Sequence, residues 1–289
     1  MNFAKIIVSS VLSMCLVILA VTAVWAFEYD SYSDVLKNYV DNDGFVNYSA
    51  LKDNADSLNK FIDQIKTLDK TNFENWQEEE KIAFWINVYN AIALKIVSDH
   101  YPIKPDFIQK MFYPENSIRQ INGSMNGIKF KVMGDKITLD KIEKSILIKE
   151  YREPRVLVAL VCAALGCPPL RNEPYNGDNL DYQLNDQARR FLAEPGNFRI
   201  DKKNSVVYLP AIFKTAGEHF VDEYLPEEKF ESFAKNDQAV LNFISSYLDK
   251  QQRQYLLDYD FSINYIDFDW NLNTRKWARP DERKPVKNK

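Results

Sequence analysis

Residues 155–171 read RVLVALVCAALGCPPLR, and the fold turns on how this stretch is read. Val156 to Val161 are apolar without alternation, and the run is short and rich in Val. That pattern predicts a strand buried on both faces, with a buried helix as the alternative. Gly166 permits a backbone turn, and Cys167, standing before Pro168, is pushed to an extended conformation. The apolar run is therefore expected to end at a rigid corner carrying Cys162 and Cys167.

The segment most likened to a partner for it begins at Glu78, EEEKIAFWINVYNAIALKIVSDHYP. Three acids favour a helix N-terminus, and Pro102 ends the pattern. Nearly every position from Ile82 to Val97 is apolar, so this helix is expected to be central and buried on most sides. Asn87 and Asn90 are exceptions on one face, and buried amides must find partners. They read either as donors lining a cleft or as a structural network tying the helix to loop carbonyls.

Around these two segments the pattern is amphipathic. Leu51, Leu58, Phe61, Ile62, Ile65 and Leu68 recur at helical spacing. Ile128, Phe130 and Val132 alternate with lysines, Gly134-Asp135 supplies a turn, and Ile137 and Leu139 pair back. A helix starts at Asp140 with Ile142, Ile146 and Leu147 inward, where Glu143 supports the first turn. Further helices are expected from about Asp178 to Pro195 and over Ala239–Leu248, the latter capped by Asp237, with a short one over Gln251–Leu257. A hairpin is expected from Phe198–Ile200 and Val206–Leu209, and a last strand from Phe261 to Tyr265. The fold class is α+β: a single compact domain with a largely buried central helix, a modest mixed sheet including Val156–Val161, and surrounding amphipathic helices.

Residues 1–26 hold one charge, Lys5, before an apolar run ending at Ala26, which predicts an export signal cleaved before Phe27. The run from Ile6 exceeds the roughly 7 to 15 residues of a signal core, so an uncleaved anchor is the alternative. The expected location is periplasmic or secreted, with membrane attachment through residues 6–26 if the signal stays. Cys15 belongs to that signal. Residues 27–273 form the body, and 274–289 a basic, solvated tail.

With 37 basic and 41 acidic residues in 289 and a net charge of −4, nothing points to a nucleic-acid partner. Hydrophobic content of 46 % supports a core without staples, and three cysteines exclude a disulfide-rich scaffold. Asp41-Asn42-Asp43-Gly44 reads as a turn rather than a calcium loop, because no Glu stands at the required spacing. No glycine-rich phosphate loop, serine elbow or histidine-pair zinc motif is present, so no metal or cofactor is expected.

Cys162 and Cys167 are the candidates for chemistry. As a nucleophile, a thiol needs a base, and only His100 and His219 exist to supply an imidazole, with Asn87, Asn90 or Glu143 to orient it. As metal ligands the two lack a nearby His to complete a shell. As structural residues they are buried small hydrophobes or a disulfide.

Several motifs in order resemble the family called domain of unknown function 547: DGFVNYSALK, AFWINVYNAIALKIV, HYPI, ITLDKIEKSIL, PRVLVALVCAALGCPPLRNEPY, LNDQARRFL and the closing YIDFDWNLN. The resemblance spans almost all of the body and is of the kind seen in exported bacterial members. It marks Phe84, Trp85, Asn87, Tyr89, Asn90, Glu143, Arg155, Cys162, Cys167 and Pro168 as pattern positions. Two family positions that are frequently His carry Lys144 and Leu157 here, which implies a departure at the site. The resulting expectation is an exported thiol-dependent hydrolase or transferase with Cys162, Cys167, Glu143 and His100 as catalytic residues. Trp85, Asn87, Tyr89, Asn90 and Arg155 are the expected contacts to a small-molecule or peptide-like ligand. The alternative is a non-catalytic envelope binding module whose cysteines are structural.

Overall fold

The computed structural model describes residues 27–226 and 229–275, so the segment expected to be an export signal and most of that expected to be a basic tail lie outside the described residues. Helix α1 spans Asp30–Tyr39, α2 Tyr48–Asp53, α3 Asp56–Thr67, α4 Lys70–Glu74 and α5 Glu78–His100. The periodicity beginning at Leu51 is shared between two helices rather than one. The chain breaks at Asn54, whose backbone N–H and side-chain amide both bond to the Ala50 carbonyl.

Helix α5 is the central one. Ile82 to Leu94 are all buried, and the helix leaves at an extended Tyr101 before Pro102. On one side Phe73, Trp76, Phe84 and Trp85 pack edge to face, with ring centroids 5.1–5.8 Å apart.

Strands β1 (Phe130–Val132) and β2 (Asp135–Ile137) form the expected hairpin. Its turn places Met133 at φ 49° and Gly134 at φ 81°, the left-handed pair that matches strand twist. The helix after it, Lys141–Glu150, is wound as a wide π-type helix. Ile142 and Leu147 are fully buried on it, five residues apart, which suits a turn wider than the α-helical one.

The stretch 155–171 is not a strand. Pro154–Val158 form a 3-10 turn, and Ala159 to Val161 continue as irregular buried backbone. The polar groups that a neighbouring strand would have satisfied are taken by a side chain: Asn90 Nδ2 donates to the Ala159 carbonyl (3.1 Å), and the Val161 N–H donates to Asn90 Oδ1 (2.8 Å). A continuous apolar run signals burial on all sides, and periodicity alone does not say what pairs with its backbone.

Helix α6 (Leu180–Ala193) leads into β3 (Arg199–Asp201) and β4 (Val206–Pro210), followed by α7 (Ala211–Ala216), α8 (Val221–Tyr224), α9 (Lys235–Ser245), α10 (Lys250–Asp258) and β5 (Ser262–Ile266). Strand β4 pairs antiparallel with β3 and parallel with β5, giving a three-stranded mixed sheet that excludes Val156–Val161. Asp237 does not cap α9; it accepts a hydrogen bond from the Tyr265 hydroxyl and so ties that helix to β5. Helix α10 carries a full capping box, Asp249 with Gln252.

Two apolar cores result. One surrounds α5 and takes in Val156 and Ala159 to Ala164; the other is built from Phe191, Phe213, Phe220, Phe243 and their neighbours and takes in Leu157 and Val158. Residues 155–171 are thus the seam between the cores. Behind it, Gly44 (φ 83°) lies so close that an added Cβ would stand 2.6 Å from the Leu170 nitrogen. The closing segment straps it from the other side: the N–H groups of Leu165 and Gly166 donate to the Asn271 and Asp269 carbonyls. Packing continues into the residues expected as tail, since Thr274 is buried and Arg275 pairs with Asp41 and Asp43. The Asp-rich turn therefore holds a guanidinium.

Candidate functional site: a dithiol cavity

A cavity of about 570 Å³ opens where the seam meets the π-type helix. Its floor carries Cys162, Cys167 and Tyr89; Asp140, Glu143 and Lys144 form one wall; Leu157, Leu160 and Ile212 add apolar surface. Arg119, Phe268 and Trp270 stand at another side, with the Arg119 guanidinium 5.3 Å from the Trp270 ring and 4.9 Å from that of Tyr113.

The two cysteines are brought together by the tight return of the chain between them. Ala163 adopts φ 62°, and the Cys167 N–H donates to the Ala164 carbonyl at 3.1 Å. The sulfurs are 2.7 Å apart as free thiols, and the Cys162 N–H donates to Cys167 Sγ at 3.1 Å. Cys167 is therefore the sulfur that receives a backbone donor. The Cys162 thiol is pushed well above its ordinary value by its hydrogen bond to Cys167, by burial, and by the charges of Cys167 and Glu143. It is a proton holder rather than a thiolate.

Burial also pushes the Glu143 carboxyl up; Lys144 opposes the shift, Asp140 adds to it, and the Tyr89 hydroxyl, donating to Glu143 Oε2 at 3.3 Å, opposes it. Glu143 is thus a carboxyl that retains a proton more readily than an exposed one. Lys144 reaches Asp140 at 3.0 Å.

The structure collects Tyr89, Glu143, Cys162 and Cys167 in one cavity and leaves the other expected residues out. His100 bonds through Nδ1 to the Ile96 carbonyl of its own helix (2.7 Å) and lies eleven residues past Tyr89, about 16 Å along the axis. His219 neighbours Glu218. Neither histidine lines the cavity. Asn87 spends both ends of its amide on Tyr175, donating to the carbonyl (2.7 Å) and accepting from the N–H (2.9 Å), just as Asn90 does on the seam. These amides are structural clamps. Trp85 sits in the aromatic cluster, and Arg155 is held by Glu153, Asp181 and Asn185. Lys144 and Leu157 both line the cavity.

Arg119 and Asp140 escaped the sequence reading because no motif flags a residue whose role depends on a distant loop. Trp270 was visible only as part of YIDFDWNLN. Among the described residues no group of three or more His, Cys, Asp or Glu side chains is placed to hold a metal ion, and no helix is long and apolar enough to cross a membrane.

Fold and cavity together define an α+β domain organised around a buried helix and a paired-thiol site. Residues 73–192 match the family model described as Protein of unknown function, DUF547, so this segment of the chain is similar to that family. No curated protein and no solved structure was found to match. The matched segment contains Tyr89, Glu143 and both cysteines, whereas Ile212, Phe268 and Trp270, which complete the cavity, lie beyond it.

Proposed function

We propose that this is an exported thiol-dependent group-transfer enzyme, a transferase or hydrolase, in which Cys167 is the nucleophile. The observation that carries the reading is Cys167 Sγ inside an open cavity, accepting the Cys162 N–H at 3.1 Å with the Cys162 sulfur 2.7 Å away. Cys167 Sγ forms a bond to the electrophilic carbon of an acyl group, with its proton passed to the Glu143 carboxylate. The carbon–leaving-group bond breaks, the leaving group takes that proton, and an incoming nucleophile then releases the acyl group from sulfur. Glu143 takes the acid–base role that a histidine fills elsewhere, which suits a carboxyl with a raised pKa. Residues 1–26 support export to the periplasm or medium, and sequencing the N-terminus of the protein recovered outside the cytoplasm tests it.

A second reading, a non-catalytic binding module, is favoured by one observation: Lys144 and Leu157 stand in the cavity where the family often has His. Mass analysis of the full chain treated with an activated ester such as p-nitrophenyl acetate separates the two. Catalysis predicts an acyl adduct on Cys167, abolished in Cys167→Ser, retained in Cys162→Ser and formed more slowly in Glu143→Gln. Absence of an adduct while the thiols are free, or a Cys162–Cys167 disulfide in the protein as isolated, leaves the binding module.

A further inference from the structure

The most exposed apolar surface among the described residues is the tip of the loop after α5. Phe107 is 78 % exposed, Ile108 62 %, Met111 73 % and Phe112 71 %, four large apolar side chains within six residues. An isolated exposed side chain means little, but a contiguous set marks a contact surface. Three further observations restrict what that contact is.

First, the backbone is prepared for an apolar medium. The N–H groups of Ile108 and Gln109 donate to Asp106 Oδ1, that of Lys110 to the Asp106 carbonyl, that of Met111 to Ile108, and those of Phe112 and Tyr113 to Gln109. Six consecutive donors are satisfied within the loop, as a segment entering lipid requires. Second, the charge is cationic. Lys104 and Lys110 flank the apolar tip, Lys110 Nζ lies 5.0 Å from the Phe107 ring, and the one acid between them, Asp106, is exposed but has Oδ1 engaged by the N–H groups of Ile108 and Gln109. Amphipathic lysines beside aromatic rings suit an anionic headgroup layer. Third, the loop adjoins the cavity: Tyr113, next to Phe112, packs on Trp270 at 5.6 Å and accepts a hydrogen bond from Arg119, and both Trp270 and Arg119 line the dithiol cavity.

We infer that residues 104–113 form a lipid-surface loop that dips Phe107, Ile108, Met111 and Phe112 into an anionic bilayer and presents the mouth of the cavity to it. The inference does not depend on Cys167 being reactive, since it concerns where the cavity is held.

Met111 is a natural reporter. The full chain on vesicles of phosphatidylcholine and phosphatidylglycerol is exposed to a charged, membrane-impermeant oxidant, and sulfoxide is quantified peptide by peptide, with Met133 in the hairpin turn as internal reference. Local readout matters because residues 6–26 can hold the chain on the vesicle without the loop. The expected result is a several-fold slower oxidation of Met111 relative to Met133 than in the same chain held in an amphipathic polymer. A Phe107→Ser, Ile108→Ser, Phe112→Ser variant with an unchanged circular dichroism spectrum is expected to lose that protection, and Lys104→Glu, Lys110→Glu to weaken it. Equal oxidation of Met111 in both media overturns the inference. So does protection that appears without lipid and grows with protein concentration, which would assign the patch to a second copy of the chain.

Discussion

Glu143 shows how one side chain acquires a property that its neighbours in sequence do not announce. On the sequence it supports the first turn of a helix; in the structure burial raises its carboxyl above the ordinary 4.5. The native state then holds a proton at pH values where the unfolded chain has released it. Native protein binds more protons than unfolded, so this group lowers stability as pH rises from about 4.5 through the raised native value. Glu143→Gln keeps a side-chain oxygen for the Tyr89 hydroxyl and removes the titration. Its denaturation midpoint is expected to fall less than that of the parent chain between about pH 4 and about pH 8, read by chemical unfolding at each pH. Parallel profiles for the two proteins would dismiss a raised carboxyl. The cysteines make a similar point: their spacing was legible, but which sulfur receives the donors depends on the left-handed Ala163 that folds one over the other.

Among the elements, α5 was readable almost end to end, because three acids, an apolar run and a proline coincide. The seam was not, and Asn90 is the reason. Its amide does for Ala159 and Val161 what an adjacent strand would have done, so the chain needs no sheet there. Asn90→Ala leaves one buried carbonyl and one buried N–H unpaired, each costing about 1–3 kcal/mol. The expected loss is about 2–5 kcal/mol of unfolding free energy, measured by denaturant titration. A change under about 1 kcal/mol would show that the seam finds other partners. The π-type winding of Lys141–Glu150 was equally hidden, since Ile142, Ile146 and Leu147 fit an α-helical stripe as well as a wider turn.

For the molecule as a whole, the two cores meet through the seam, where neighbouring residues of one short turn enter different cores: Val156 and Ala159 the first, Leu157 and Val158 the second. Unfolding one core strips the seam from the other, so a single cooperative transition is expected. Among the described residues Trp76, Trp85 and Trp270 all belong to or pack on the first core. With Trp25 and Trp277, which lie outside the described residues, replaced by Phe, tryptophan fluorescence therefore reports that core, while circular dichroism reports the helices of both. Coincident denaturation curves are expected; a second transition seen only by circular dichroism would mean that the cores unfold separately. The sequence by itself determined the α+β class, the central helix, the two hairpins and the identity of the two cysteines to consider, because each rests on local periodicity, turn chemistry or residue type. Only the tertiary structure decided that the apolar run is a seam rather than a strand, that Asn87 and Asn90 are clamps, that His100 is remote, and that Arg119 and Trp270 share a cavity with the thiols. Those outcomes depend on which backbone groups and side chains meet across long separations in the chain, and a hydrophobic pattern records burial without recording the partner.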